Sequence, residues 1–195
     1  VSVDGEVGQT DHPVDVCLEL TMDDVSHCDP FPAPFKIFSF DLETSIAHDT
    51  ILCAAVVTED MGSGERTHHT FAEDEESILK HLTELVRATD PDIITGYNVD
   101  NFDMGRIVDR ANLVSKRDKS KKIATMGWGR VSTSEEGRRR DTLYPTRGVS
   151  RAWNVGGRCV MDAWWQARQA LRPQRETLKF VSNLLFPDDE NMQKM

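Results

Sequence analysis

The chain has 195 residues, of which 38% are hydrophobic and 29% are charged, and its formal net charge is -10. This composition is typical of a globular protein with one well-packed core and a flanking segment. The longest uninterrupted apolar run, Ile51–Val57, is too short to cross a bilayer, so the sequence predicts no membrane partner. The four cysteines include no Cys-x-x-Cys pair, which argues against a zinc site and a disulfide scaffold.

The charges are distributed unevenly along the chain. Residues 106–175 contain 17 Lys and Arg against 6 Asp and Glu, whereas the rest of the chain contains 6 against 27. A basic segment beside acidic residues suits a polyanionic substrate that needs both phosphate contacts and a cation. A solvated surface or a charged loop explains the same pattern equally well, so charge alone leaves nucleic-acid binding open.

Residues 1–34 are acidic and rich in proline. The segment Val14–Leu20 alternates as a strand does, and the prolines that follow predict a linker. We therefore expect residues 1–34 to be a short β segment and linker from the end of a preceding domain. Because the chain opens on Val1 and stops just after a helix-like segment, we expect a fragment of a longer protein.

The stretch Phe35–Ser45 reads FKIFSFDLETS and predicts a strand that is buried on both faces. Asp41 and Glu43 are two residues apart, so they project to the same side while Leu42 points into the core. Two carboxylates this close repel each other and favour a shared proton or an oxygen-preferring cation such as Mg2+ or Mn2+. Acidic residues also end strands simply because the chain leaves the core, so this motif alone is a weak signal.

The remaining segments predict strands that alternate with helices, which is the pattern of an α/β protein with a mixed sheet. A basic insert at about 115–157 interrupts them; it admits short strands at 123–128 and 130–133, and Arg138–Arg140 suit phosphates or a solvated loop equally well. The predicted strands are 50–58, 66–71, 92–97 and 158–162. The predicted helices begin near residues 73, 102, 163 and 177.

A second acidic stretch, Ile93–Ile107, reads IITGYNVDNFDMGRI and predicts a strand, a tight polar turn and a helix. Asp103 falls in the first turn of that helix, where the helix dipole favours an acid without any catalytic task. Asn98 and Asp100 are equally well explained as turn formers or caps.

The two stretches together are more specific than either alone. FDLET followed by GYN-x-x-NFD resembles the first two exonuclease motifs of the family B replicative DNA polymerases. These belong to the DEDD exonucleases, whose fold is ribonuclease H-like, so the resemblance implies a mixed β-sheet flanked by helices. The resemblance extends over about residues 33–186 through APFKIFSFDLET and GRCVMDAWWQAR, and the archaeal members look nearest.

The resemblance implies a catalytic role for three acids. Asp41, Glu43 and Asp103 match the carboxylates that hold two Mg2+ or Mn2+ ions. Asp41 is expected to bridge the ions, Glu43 to bind the ion that activates water, and Asp103 to support the other. Two such ions meet the need of phosphodiester hydrolysis for a hydroxide and for charge neutralisation.

Three further residues match positions near the 3′ end of the substrate strand: Thr44, Asn98 and Phe102. An aromatic ring such as that of Phe102 is suited to stack on a frayed terminal base. Asp162 matches an acid at a strand end that looks structural in the family, so it is not counted as catalytic.

The function that the resemblance implies is 3′→5′ proofreading within a DNA-directed DNA polymerase. The domain at residues 35–195 is expected to hydrolyse single-stranded DNA 3′ ends. The expected partners are DNA as primer-template, the remaining polymerase domains and a sliding clamp. The expected location is the cytoplasm, on the nucleoid, for an archaeal protein and the nucleus for a eukaryotic one.

The chain departs from the family pattern at the third motif, Tyr-x-x-x-Asp, which it lacks. We expect that motif downstream of Met195, and we expect the fragment alone to be inactive or weak. Two alternatives stay open. One is a non-catalytic DNA-binding or scaffolding module with the same fold, and the other is a free-standing DEDD exonuclease.

Overall fold

The computed structural model describes residues 2–3, 6–7, 18–117, 128–130, 144–145 and 153–189. The chain divides into two compact units, Val1–Pro34 and Phe35–Met195. The first unit contains a 3-10 turn, Met22–Asp24, that Thr21 caps. It also contains two antiparallel pairs of very short strands, Ser2–Val3 with Val25–Ser26 and Glu6–Val7 with Leu18–Glu19. Of the predicted strand at 14–20, residues 14–17 lie outside the described residues.

A five-stranded mixed sheet forms the centre of the second unit. Its spatial order is β5-β4-β1-β2-β3; β1, β4 and β5 run parallel to one another, while β2 is antiparallel to both of its neighbours. The α/β class with a mixed sheet is therefore confirmed. The strands are β1 (Lys36–Thr44), β2 (Ile51–Asp60), β3 (Glu65–Phe71), β4 (Ile93–Gly96) and β5 (Cys159–Asp162).

In the described part of the second unit, four helices accompany the sheet. The first begins after Asp74, whose side chain accepts a hydrogen bond from the Ser77 N–H, and it ends at Asp90 in a left-handed conformation just before Pro91. Within the described part of the chain, none of the helices is long and apolar enough to span a membrane. The helices are α1 (Glu75–Thr89), α2 (Asp103–Arg117), α3 (Ala163–Leu171) and α4 (Leu178–Leu185).

The prediction that β1 is buried on both faces is wrong. Phe38, Phe40 and Leu42 are buried in a core that they share with side chains of α1 and α2. The alternate side chains of the opposite face grow more exposed along the strand, and Asp41 and Glu43 are both exposed. One layer of helices accounts for the difference, because α1 and α2 supply apolar side chains to one face only.

Trp128 lies inside the basic insert but belongs to the core. It is fully buried, and its ring centroid lies 6.0 Å from that of Phe38 and 6.1 Å from that of Phe40. Its Nε1 donates a hydrogen bond of 3.0 Å to the Thr83 hydroxyl. The strands predicted at 123–128 and 130–133 and the arginines 138–140 lie outside the described residues, apart from positions 128 and 130.

Two arginines connect this part of the insert to the loop between α1 and β4. Arg130 forms ion pairs of 2.9 Å with Asp90 and 2.8 Å with Asp92. Arg158 donates to the Trp128 carbonyl at 2.6 Å and pairs with Asp90 at 2.7 Å. This network connects the backbone around Trp128 to the loop between α1 and β4.

Candidate active site

The carboxyl ends of the three parallel strands meet at one edge of the sheet, and acidic residues lie at two of them. Asp41 and Glu43 occupy the end of β1, and Asp162 ends β5. Between these strands, β4 ends at Gly96 and leads into the turn before α2. In open α/β sheets, ligands bind at this edge, where strand order reverses.

Asp103 is the first residue of α2 and joins this edge from the side of the core. Its side chain is only 2% exposed. The Oδ1 atom accepts a hydrogen bond of 3.1 Å from the backbone N–H of Leu42, the residue between Asp41 and Glu43. The three acids implied by the sequence are thus brought to the same end of β1.

The electrostatics of the three acids are coupled. Burial raises the pKa of Asp103 to about 7, and the charge of Asp41 adds to the rise, while the Leu42 N–H opposes it. Burial and the charge of Glu43 raise the pKa of Asp41 as well. Close carboxylates resist joint ionisation, so a cation placed between them would relieve the repulsion.

The donor set fits a hard divalent cation. Asp41, Glu43 and Asp103 offer only carboxylate oxygens, the ligands that Mg2+ and Mn2+ prefer, and no thiol or imidazole joins them among the site residues described above. Within residues 18–114, 128–130 and 155–189, no group of three or more His, Cys, Asp or Glu side chains is arranged to hold an ion as it stands. The structure brings the three acids to the same end of β1.

Asp162 fastens the turn before α2 to the start of α3. Its carboxylate accepts hydrogen bonds from three backbone N–H groups: 2.8 Å from Asn98, 3.0 Å from Asp100 and 2.8 Å from Trp164. Three such donors use most of the acceptor sites of one carboxylate, which has about four. Asp162 therefore acts as a structural tether in this site.

The turn itself depends on two residues with special backbone requirements. A Cβ atom on Gly96 would lie 2.4 Å from the carbonyl oxygen of Phe40, so only glycine fits between β4 and β1. Asn98 has a φ of 66°, in the left-handed region that asparagine tolerates well. The side-chain oxygen of Asn98 accepts a hydrogen bond from Asn101, which stabilises the turn from within.

The other substrate-contact candidates lie beside the acids. Thr44 ends β1 just after a register shift between Glu43 and Thr44. Phe102 is 38% exposed, and the guanidinium of Arg106 lies 5.3 Å from the centre of its ring. Arg106 also pairs with Asp49 at 2.9 Å, which links Phe102 to the loop that follows β1.

That loop has a second anchor, which the sequence pattern did not reveal. Arg110 of α2 forms an ion pair of 2.6 Å with Glu75 and donates to the carbonyl of His48. The Glu75 carboxylate in turn accepts the N–H of Ile51. These residues come from three separate elements, so no local signal could have linked them.

A cleft of 520 Å3 opens on the sheet face that α1 and α2 leave uncovered. Ser39 and Asp41 contribute to its wall from β1, and Ala163 and Leu178 contribute from α3 and α4. Tyr97 also lines it and donates a hydrogen bond of 2.6 Å to the Glu176 carbonyl. Asp41 therefore faces this cleft at the end of β1.

The sequence of the second unit matches a family model over residues 62–181, which is more than half of the chain. That model describes the exonuclease domain of DNA polymerase family B. This chain belongs to that family. The matched range includes Asp103 and Asp162 and begins after β1, so Asp41 and Glu43 lie outside it.

The relatives found by sequence are polymerase catalytic subunits. The chain is 31% identical over 114 residues to the DNA polymerase delta catalytic subunit of Caenorhabditis elegans, covering 55% of the chain and 10% of that protein. It is 25% identical over 178 residues to the delta subunit of Candida albicans, covering 77% and 16%. The chain therefore spans less than a fifth of the length of these relatives.

A solved structure shares the fold. The family B DNA polymerase of the hyperthermophilic archaeon Pyrobaculum calidifontis matches 94% of this chain and 22% of its own length, with a TM-score of 0.57 and 19% sequence identity. The exonuclease family and the five-stranded sheet with flanking helices thus agree with the ribonuclease H-like fold implied by the sequence.

Proposed function

We propose that this chain is the 3′→5′ proofreading exonuclease region of a family B DNA-directed DNA polymerase. It hydrolyses the 3′ end of single-stranded DNA with the help of two divalent ions, Mg2+ or Mn2+. Asp41, Glu43 and Asp103 are the catalytic carboxylates and the metal ligands. The region occupies residues 35–195, and the division of the chain after Pro34 supports this boundary.

The observation that carries the proposal is the hydrogen bond between Asp103 and the backbone of Leu42. It brings a nearly buried acid from one sequence motif to the backbone of the residue that stands between two exposed acids of another. A purely structural acid at a helix start needs no such neighbours, because the helix N–H groups and dipole already stabilise its charge.

The site residues have different roles in the proposed hydrolysis. When bound, the ions lower the pKa of water and neutralise charge that develops on the phosphate. Asp41 and Glu43, which are exposed at the end of β1, would hold the ions, and Asp41 lines the cleft. Asp103 contributes the third carboxylate from the core side of the sheet. Thr44, Asn98 and Phe102 receive the terminal nucleotides, with the exposed Phe102 ring stacking on a frayed base.

We extend the proposal to the whole protein. Its partners are primer-template DNA, the remaining polymerase domains and a sliding clamp. It works wherever the genome is copied, on the nucleoid in an archaeal cytoplasm or in a eukaryotic nucleus. The names of the sequence relatives, all polymerase catalytic subunits, support this extension.

The test is an excision assay on 3′-labelled single-stranded DNA with Mg2+, using the full-length protein. Asp41→Ala should lower excision by roughly 10²–10⁴-fold, the equivalent of the several kcal/mol that such ions supply. DNA synthesis by the same variant should stay near wild type. Glu84→Gln, which removes an exposed acid of α1, is the matched control and should excise normally. Equal loss of excision and synthesis in Asp41→Ala would refute the proposal.

A second candidate is a DNA-binding module that keeps the fold without catalysis. The excess of basic residues at 106–175, with 17 Lys and Arg against 6 Asp and Glu, favours it because this charge suits phosphate binding without requiring catalysis. Mn2+ titration separates the two, because an active site should bind Mn2+ and lose this binding in Asp41→Ala. A binding module should show no Mn2+ binding that depends on Asp41.

A further inference from the structure

The exposed side of α3 carries an ordered group of two aromatic rings and one cation. The ring centroids of Trp164 and Trp165 lie 4.7 Å apart, with their planes inclined by 70°. The guanidinium carbon of Arg168 lies 5.3 Å from the centre of the first ring and 5.6 Å from the second. The spacing of three and four residues along the helix accounts for the contacts of Arg168 with the two rings.

This group lies at the surface and not in the core. No residue of α3 is buried, and Trp165 is 37% exposed. Met161 of β5 and Leu178 of α4 are also large apolar residues that are exposed. Large exposed aromatic side chains that cluster in this way commonly mark a binding surface.

The charge around the group is strongly positive, in contrast to the chain as a whole. Residues 163–179 contain four basic side chains and a single acidic one, Glu176. Glu176 pairs with Arg168 at 3.3 Å. The other three basic residues, Arg172, Arg175 and Lys179, are exposed.

The group formed by Trp164, Trp165 and Arg168 follows directly after Asp162 of the candidate active site. The backbone N–H of Trp164 donates to Asp162, the same carboxylate that holds the turn before α2. Ala163 and Leu178 line the same cleft as Asp41. A strand whose 3′ end lies at Asp41 would therefore meet α3 as it leaves the cleft.

We propose that Trp164, Trp165 and Arg168 form a stacking surface for the single-stranded nucleic acid that enters the exonuclease site. Bases stack on the exposed indole of Trp165, which Trp164 and Arg168 hold in place, and the basic side chains that follow contact phosphates. This inference rests on the proposed function, because it treats the bound strand as the exonuclease substrate. Aromatic rings beside cations, without sequence-specific groups, suit unpaired strands of any sequence.

The test measures binding apart from hydrolysis. A fluorescent oligothymidylate of about 16 nucleotides is titrated with the full-length protein in EDTA, and its anisotropy gives Kd. Trp165→Ala should weaken binding by roughly 5- to 100-fold, and Trp165→Leu should weaken it similarly because it lacks an aromatic ring. Trp165→Phe should retain most of the affinity. Met61→Ala, which truncates an exposed apolar side chain at the end of β2 and the start of its turn, is the matched control and should bind as wild type.

The Arg175→Ala variant tests the electrostatic part, because Arg175 is one of the exposed basic residues that are assigned to phosphate contacts. It should reduce the slope of log Kd against log salt by about 0.7, the value for one phosphate contact on a single strand. With Mg2+ present, Trp165→Ala should raise KM for excision while kcat stays near wild type. A local structural defect would instead change circular dichroism or lower kcat.

The outcomes distinguish this inference from the proposed function. Wild-type affinity in both Trp165→Ala and Trp165→Leu would overturn the stacking surface and leave the catalytic proposal in place. Conversely, normal excision by Asp41→Ala together with weakened binding in Trp165→Ala would overturn the catalytic assignment and keep the surface. A loss that Trp165→Phe shares in full would also overturn stacking, since the phenyl ring preserves it.

Discussion

The carboxylate of Asp103 accepts a hydrogen bond from the backbone N–H of Leu42, although the two residues are 61 positions apart in the chain. This bond joins the first turn of α2 to the end of β1. Leu42, which donates this bond, stands between the two exposed acids of that strand in the sequence. Asp103 is therefore both a structural partner of β1 and a member of the acidic site, and substitutions can separate the two roles.

Asp103→Ala should destabilise the fold, whereas Asp103→Asn should not do so to the same extent. Alanine leaves the buried Leu42 N–H without an acceptor, which costs about 1–3 kcal/mol in the free energy of unfolding. Asparagine keeps an oxygen in place. Both variants should lose excision, because neither supplies a carboxylate. Urea denaturation followed by circular dichroism measures the difference, and equal destabilisation would contradict a role for this bond.

The pH dependence of stability provides a second prediction. The pKa of Asp103 is raised from 3.8 to about 7, so the folded state keeps a proton that the unfolded state has released between these values. Stability in EDTA should therefore fall as pH rises from about 4 to 7, at up to roughly 1 kcal/mol per pH unit, and level off above that range. Burial and the charge of Asp162 raise the pKa of Asp100 to about 6. The titration of Asp100 should therefore make the fall in stability steeper in the lower part of this pH range.

Asp103→Asn is the control for this effect, since it removes one of the titrating groups. Its stability should depend less on pH over the same range, as measured by urea denaturation at several pH values. An unchanged slope in the variant would show that the pH dependence comes from other groups.

Mn2+ affinity should increase with pH over the range in which Asp103 loses its proton. The ion binds the ionised carboxylate, so binding at about pH 6 should release a proton and be weaker than at about pH 8. Isothermal titration calorimetry in two buffers of different ionisation enthalpy measures the proton count. Affinity that is independent of pH would exclude Asp103 as a ligand.

Asp162→Ala should destabilise the site without removing a catalytic group. The substitution leaves three backbone N–H groups without their shared acceptor, at Asn98, Asp100 and Trp164. We expect a loss of about 2–4 kcal/mol in unfolding free energy. Asp162→Asn, which retains one acceptor oxygen, should lose less. Excision by the folded fraction should persist in Asp162→Asn, and its complete loss at full stability would assign Asp162 a catalytic role.

Trp128→Ala should be among the more damaging substitutions in the chain, even though the residue belongs to the basic insert. The indole is fully buried against Phe38 and Phe40 and donates to Thr83, so its removal should cost about 3–5 kcal/mol. Trp165→Ala, at the surface of α3, should cost far less. Thermal denaturation of both variants tests this contrast, and similar losses would contradict the assignment of Trp128 to the core.

The local patterns of the sequence were sufficient to predict each strand of the five-stranded sheet and each helix beside it. Alternation located β1, a helical stripe including Ile78 and Leu82 located α1, and Pro91 marked its end. The stretch with Asp103 was predicted as strand, turn and helix, and it has that form. These features depend on neighbours within a few residues, so periodicity and turn residues are enough to predict them.

The sequence by itself determined the order of the elements, the family and the acidic residues that lie together at the end of β1. Only the tertiary structure decided which face of β1 is covered, that Trp128 fills the core, and that Asp103 receives the N–H of Leu42. The physical reason is the range of the interactions. Burial patterns along one element depend on residues that are close in the chain. The partner of a buried indole or carboxylate depends instead on packing between segments that are far apart in the chain.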